Sequence, residues 1–95
     1  MEEMAHYMAE IEKLLAAGGI EWEKGDYSDC GDAFFYMGKK DDWNILVVSF
    51  PIEGSRGYDG TAVNRSEGVV MRLTRGQAEA FYGFAMSSHE IKKCN

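Results

Sequence analysis

Apolar residues near the start of the chain recur at intervals of three and four, the period of an amphipathic helix. Met4, Tyr7, Ile11 and Leu14 form the apolar stripe, and charged residues fall largely on the opposite side. Two glycines follow at positions 18 and 19. Because glycine readily adopts the left-handed conformation needed just past a helix C-terminus, they predict the end of this helix.

Four shorter segments have the composition and period of β-strands. Residues 20–24 alternate apolar and charged side chains, which predicts an edge strand with one dry and one wet face. Residues 33–37 and 43–50 are rich in aromatic and β-branched side chains, and a polar turn separates them. Residues 43–50 are apolar on both alternating faces, which is typical of a central strand covered on both sides, and residues 69–73 predict a further strand.

The segment between the last two strands predicts a loop, and the segment after them predicts a helix. Residues 51–68 begin with a proline and contain four glycines and scattered charges without a clear period, so we expect one long Gly-rich loop. Thr74 and Gln77 match a capping box, in which each side chain satisfies a free backbone N–H at a helix start. Ala78, Phe81 and Ala85 would form the apolar stripe of this second helix.

These elements predict one α+β domain over residues 1–95. The expected order is helix, three strands, long loop, strand and helix, with an antiparallel four-stranded sheet and the helices packed mainly on one face. Both faces of such a sheet would carry apolar side chains, and two short helices on one face would leave those on the other face uncovered. A crossing helix, the loop or another chain would have to cover it, and a homodimer is the simplest intermolecular solution. The uncovered set would be Phe34, Tyr36, Leu46, Val48 and Phe50, or their opposites.

Charge is distributed unevenly along the chain. The formal net charge is −6, and residues 1–32 hold nine acidic and two basic residues, so the excess negative charge lies in the first third. This charge disfavours direct binding to nucleic acid or anionic lipid and favours a larger protein with a basic surface as the partner. The residues expected to form an acidic, partner-binding face are Glu2, Glu3, Glu10, Glu12, Glu21, Glu23, Asp26, Asp29 and Asp32.

Motifs for catalysis, metal binding or cofactor binding are not found in the sequence. Cys30 stands among aspartates, which would raise its pKa and suppress the reactive thiolate. The same aspartates do not match a calcium loop, and His6, His89, Cys30 and Cys94 lack the spacing of zinc ligands. We therefore expect a protein that is not an enzyme and that carries neither a metal ion nor a cofactor.

The Gly-rich loop supplies an alternative. Arg56 and Arg65 could bind an anion with the loop amides, and Tyr58 could stack on a base. The loop matches no established phosphate-binding motif. A small anionic ligand or nucleotide therefore remains the second hypothesis.

The leading hypothesis is a small acidic, non-catalytic protein that acts through protein–protein contact. Its most specific form is an inhibitor that occupies a basic nucleic-acid-binding site, with carboxylates in the places of phosphates. In size and acidity the chain resembles the small inhibitors that phages encode against CRISPR effectors and other host defences. A homodimeric subunit of a larger assembly is a further alternative. Since the sequence contains no export signal and no apolar run of membrane-spanning length, we expect a cytoplasmic location in the producing or host cell.

Overall fold

The computed structural model describes residues 2–24 and 34–88, with side chains from residue 5 onward. It confirms an α+β fold with an antiparallel sheet, but the sheet has five strands instead of the predicted four. The elements are α1 (Glu2–Ala17), β1 (Glu21–Lys24), β2 (Phe34–Lys40), β3 (Trp43–Ile52), β4 (Ser55–Asn64), β5 (Val69–Arg72) and α2 (Arg75–Ser88).

The additional strand lies in the segment predicted to be a loop. Residues 51–68 finish β3, form all of β4 and supply the turns on either side of it. The prediction of one long loop was wrong because glycines and charges mask a strand period. Tyr58 and Ala62 point to one face and Thr61 and Val63 to the other, while Gly60 stands where a strand residue would normally have a side chain.

The sheet is a meander in which every strand pairs with the next one in the chain, in the order β1-β2-β3-β4-β5. Short turns make this order possible. Two residues connect β2 to β3, with Asp41 at a φ of 52°, and two connect β3 to β4, with Gly54 at a φ of 76°. A four-residue turn then joins β4 to β5. The middle of the sheet is therefore β3, which has a hydrogen-bonded neighbour on both sides.

One face of the sheet and the two helices enclose the hydrophobic core. Tyr36, Val47 and Ala62 point from three strands into this core, where they meet Ile11 of α1 and Phe81 of α2. All five side chains are fully buried. Complete burial of a large apolar side chain contributes roughly 1.5–3 kcal/mol, so this layer is the main source of stability.

The two helices cover that face unequally, which refines the predicted arrangement. α2 contacts the first four strands, whereas α1 packs against α2 and against Trp43 at one end of the sheet. The rings of Tyr7 and Trp43 meet edge to face with centroids 6.1 Å apart, and the Trp43 indole N–H donates to Glu10 at 3.3 Å. The end of the core under α1 is thus fixed by aromatic packing and one hydrogen bond.

The predicted capping box begins α2. The backbone N–H of Gln77 donates to the Thr74 hydroxyl at 3.1 Å, and the Thr74 N–H donates to the Gln77 side-chain oxygen at 3.0 Å. The Gln77 amide also donates to Glu12 of α1 at 2.9 Å. The same residue therefore caps one helix and ties it to the other.

Candidate functional site

The face of the sheet opposite the helices is not covered by any element in the described part of the chain. We call it the open face. Strand alternation places these side chains there because their neighbours along each strand point into the core. The open face consists of Glu21 and Glu23 of β1, Phe35, Met37 and Lys39 of β2, Asn44, Leu46, Val48 and Phe50 of β3, Asp59, Thr61 and Val63 of β4, and Val70 and Arg72 of β5.

The centre of the open face is apolar and exposed. Met37, Leu46 and Val70 remain 44%, 41% and 68% exposed, although large apolar side chains in contiguous groups are usually covered. Two shallow depressions of about 320 and 370 Å³ lie on either side of Leu46. This shape is suited to receiving the side chains of another protein surface.

The two edges of the open face carry opposite charge patterns. Glu21 and Glu23 project from β1, and neither makes an ion pair with any residue in the part of the chain that the structure describes. On β5, the Arg72 guanidinium donates two hydrogen bonds to Asp59, at 3.2 and 3.0 Å. These bonds, helped by the Gly60 N–H, hold the pKa of the Asp59 carboxyl below its usual value. The β1 edge therefore has two carboxylates without an ion pair among the described residues, with Lys39 opposite Glu21, while the β5 edge has a salt bridge.

The expected acidic face is divided between the two sides of the sheet. Glu10 and Glu12 belong to α1, where Glu10 contacts His6 and Trp43 and Glu12 accepts from Gln77. Glu21 and Glu23 point the other way, onto the open face. The remaining carboxylates expected there, namely Glu2, Glu3, Asp26, Asp29 and Asp32, have side chains outside the described residues.

Sequence reasoning found only part of the open face. Leu46, Val48 and Phe50 lie there, but their companions on β2 are Phe35 and Met37. Phe34 and Tyr36 point toward the helices instead. Arg72 was not singled out, and its position relative to the carboxylates depends on β4, whose strand period the glycines conceal.

The residues proposed to bind an anion do not come together. Arg56 and Tyr58 lie near one end of β4, where the Arg56 guanidinium donates to Ser49 at 3.1 Å and lies over the Phe34 ring. Arg65 follows the other end of β4 and donates to the backbone carbonyl of Asp41. Eight strand residues separate the two arginines, which amounts to roughly 25 Å or more. The two charges therefore serve separate structural contacts.

Beneath α2, a polar cluster surrounds Ser49. Tyr82 packs edge to face on Tyr36 and on Tyr58, with ring centroids 5.3 and 5.6 Å apart, and lies near Ser49. Burial, supported by the neighbouring Tyr36, raises the pKa of Tyr82 to about 12. Its phenol is therefore protonated at neutral pH and is not a general base. The cluster acts as part of the core.

The described residues contain no group of three or more His, Cys, Asp or Glu side chains arranged to hold a metal ion. Cys30, His89 and Cys94 lie outside the described part of the chain. Within residues 2–24 and 34–88, neither helix is long and apolar enough to cross a bilayer.

Comparison of the chain with protein-family models, with curated proteins and with solved structures finds no match.

Proposed function

We propose that this protein is a non-catalytic binding protein that acts through contact with a larger protein whose surface is basic. The observation that carries the proposal is the position of Glu21 and Glu23. Both side chains are exposed beside an uncovered apolar surface, and neither makes an ion pair with a described residue. Lys39 lies opposite Glu21 in the strand register, whereas the residue opposite Glu23 is the apolar Met37. With a net charge of −6, the molecule attracts arginine- or lysine-rich surfaces and repels phosphate.

The two properties of this region have different roles in binding. Apolar contact supplies most of the affinity of a protein interface, whereas complementary charge speeds association and selects the partner. The most specific form of the proposal is an inhibitor that occupies a nucleic-acid-binding site. A row of carboxylates can take the place of phosphates there, since the basic residues of such a site respond mainly to negative charge.

Affinity purification from an extract of the producing cell, with and without nuclease, tests the proposal. We expect the protein to recover a basic protein equally well in both cases, because the contact does not pass through nucleic acid. Glu21→Lys should lower that recovery about tenfold, by loss of one attraction and gain of one repulsion. Glu79→Lys is the matched control, since it makes the same change of charge at an exposed position of α2.

Two results would contradict the proposal. One is an extract from which no basic protein is recovered. The other is recovery that disappears on nuclease treatment, because it would mean that nucleic acid bridges the two molecules.

A further inference from the structure

One row of side chains crosses the open face from a glutamate on β1 to the salt-bridged Arg72 on β5. The strand register places Glu23 opposite Met37, and Met37 opposite Leu46. Leu46 in turn lies opposite Thr61, and Thr61 opposite Arg72. Leu46 is thus at the centre of the row, on the middle strand, with a carboxylate two strands away on one side and a guanidinium two strands away on the other.

We infer that a second copy of this chain covers the open face, related to the first by a twofold axis that runs parallel to β3 and beside Leu46. A twofold axis in this direction places β1 of each copy over β5 of the other. Glu23 then faces Arg72 of the second copy, and the same pair forms again at the opposite edge.

The charges distinguish this arrangement from the other face-to-face dimer. A twofold axis across the strands would place β1 over β1 and β5 over β5. Glu23 would then meet Glu23, which juxtaposes like charges at the β1 edge. At the β5 edge each Arg72, paired with its own Asp59, would meet another Arg72 and would gain no new carboxylate from β1. Because like charges disfavour an interface and opposite charges fix its register, the axis along β3 is favoured.

Both members of the pair are available for this contact. Arg72 uses two of the five N–H donors of its guanidinium on Asp59, and its side chain is 79% exposed. Glu23 is exposed and makes no ion pair with any residue in the described ranges. A carboxylate arriving from the second copy can therefore accept from Arg72 without breaking the salt bridge to Asp59.

The side chains of β3, the strand that lies along the twofold axis, can pack against the same side chains of the second copy. Leu46 and Val48 would pack on their counterparts. Asn44, one row away, would meet the amide of the second copy, and an amide both donates and accepts hydrogen bonds. The Asn44 side-chain oxygen has no hydrogen-bond partner among the described residues. Rotation of the Asn44 side-chain amide in the dimer would direct that oxygen to the amide N–H of Asn44 in the second copy.

The area of the open face is sufficient for a weak dimer. Five strands spaced about 4.8 Å apart and three rows of side chains give a surface of roughly 24 by 20 Å, so a pair would bury about 1,000 Å² in total. This value is below the roughly 1,200–2,000 Å² of stable interfaces and is typical of weak, transient ones. We therefore expect a dimer that dissociates on dilution.

Measurement of molar mass by light scattering, over a roughly hundredfold range of protein concentration, tests this inference on the purified protein. The second copy would occupy the surface proposed for the basic partner, so the partner would compete with it. No extract or partner is involved in this measurement, so its result is distinguishable from that of the proposed function. We expect the mass to rise from that of one chain to that of two. Leu46→Glu should hold the protein at the mass of one chain, since it places a charge at the centre of the interface. An unchanged circular dichroism spectrum would show that this variant folds.

Two charge reversals test the direction of the axis. Glu23→Arg and Arg72→Glu should each weaken the dimer about 10- to 100-fold, because two attractions become repulsions in every homodimer. An equimolar mixture of the two variants should recover dimers, since each reversed residue then faces a residue of opposite charge. Glu79→Arg makes the same charge change as Glu23→Arg on the helical side and should leave the dissociation constant unchanged.

Three results would overturn the inference. The first is a single-chain mass at every concentration. The second is a dimer that Glu23→Arg affects no more than Glu79→Arg does, because the pair would then not be opposed. The third combines two observations: the purified protein is a monomer, and its Leu46→Glu variant does not recover the basic protein that the original protein recovers from extract. That result would assign the open face to the basic partner and leave the proposed function intact.

Discussion

At the scale of single residues, two glycines of β4 lie where neighbouring atoms leave no room for a side chain. A Cβ atom on Gly60 would lie 2.5 Å from the backbone oxygen of Leu46, and one on Gly57 would lie 2.5 Å from the ring of Phe50. Backbone cannot move away as a side chain can, so Gly60 is the more restrictive of the two. These glycines are required because neighbouring atoms occupy the space of a side chain.

The first prediction compares two Gly→Ala substitutions. Gly60→Ala should lower the free energy of unfolding by about 2–3 kcal/mol, because the sheet must distort to admit the methyl group. Gly83→Ala should raise it by about 0.5–1 kcal/mol, since Gly83 is in α2 with no atom near the new methyl and alanine favours helix. Urea unfolding measures both. Equal effects of the two substitutions would contradict the packing argument.

The second prediction concerns the pH dependence of stability through Tyr82. Its pKa is about 12 in the folded protein, above the ordinary value of 10, because burial disfavours the phenolate. The stability this group contributes is therefore complete below pH 10 and is lost as the pH rises from 10 through 12. At about 1.4 kcal/mol per pKa unit, the loss is at most about 2–3 kcal/mol.

Urea unfolding at a series of pH values measures this loss, and Tyr82→Phe is the control because it removes the titrating hydroxyl. The variant should show a smaller decrease in the free energy of unfolding above pH 10 than the original protein does. Identical slopes for the two proteins would show that Tyr82 does not titrate as described.

At the scale of the elements, a sequence predicts a strand or helix well where its local signals agree. Both helices were predicted because an apolar period and a terminal signal coincide, at Gly18 and at the Thr74–Gln77 box. β4 was missed because Gly57 and Gly60 lower strand propensity, while the reason for their presence is contact with β3. That contact is not local, so no window of sequence reports it.

The third prediction concerns the start of α2. Thr74→Ala removes the hydroxyl that accepts from the Gln77 N–H and should destabilise the protein by about 1 kcal/mol. Gln77→Ala should have a larger effect, because it also leaves Glu12 without its hydrogen bond from the amide. A double-mutant cycle between Glu12→Ala and Gln77→Ala measures that second contribution, with an expected coupling of about 0.5–1.5 kcal/mol.

Ser88→Ala is a suitable control for these substitutions, since Ser88 is exposed at the end of α2 and its hydroxyl donates to the Phe84 carbonyl of the same helix. It should change stability by less than about 0.5 kcal/mol. A coupling near zero between Glu12 and Gln77 would show that the two helices are held together by apolar packing alone.

At the scale of the whole molecule, the distribution of charge in the sequence differs from its distribution in space. Consecutive acidic segments predict one acidic face, yet the alternation of β1 directs Glu21 and Glu23 away from the side on which Glu10 and Glu12 lie. Glu23 and Arg72 lie at the two ends of one row across the open face, and this arrangement depends on four successive strand registers. No local sequence pattern reports how four strand registers combine, so this part of the candidate site could be identified only from the structure.

The last prediction separates a face-to-face dimer from one that joins sheet edges. β3 is paired on both sides, so the amides of Ile45 and Val47 should exchange with solvent most slowly, and the outward amides of β1 and β5 fastest. A dimer through the open face leaves both edges exposed.

Raising the protein concentration should therefore raise the melting temperature by mass action without protecting the edge amides. Edge-to-edge pairing through β1 or β5 would instead slow those same amides, because it would give them new hydrogen-bond acceptors. Hydrogen exchange at low and high concentration thus distinguishes the two assemblies by which amides change.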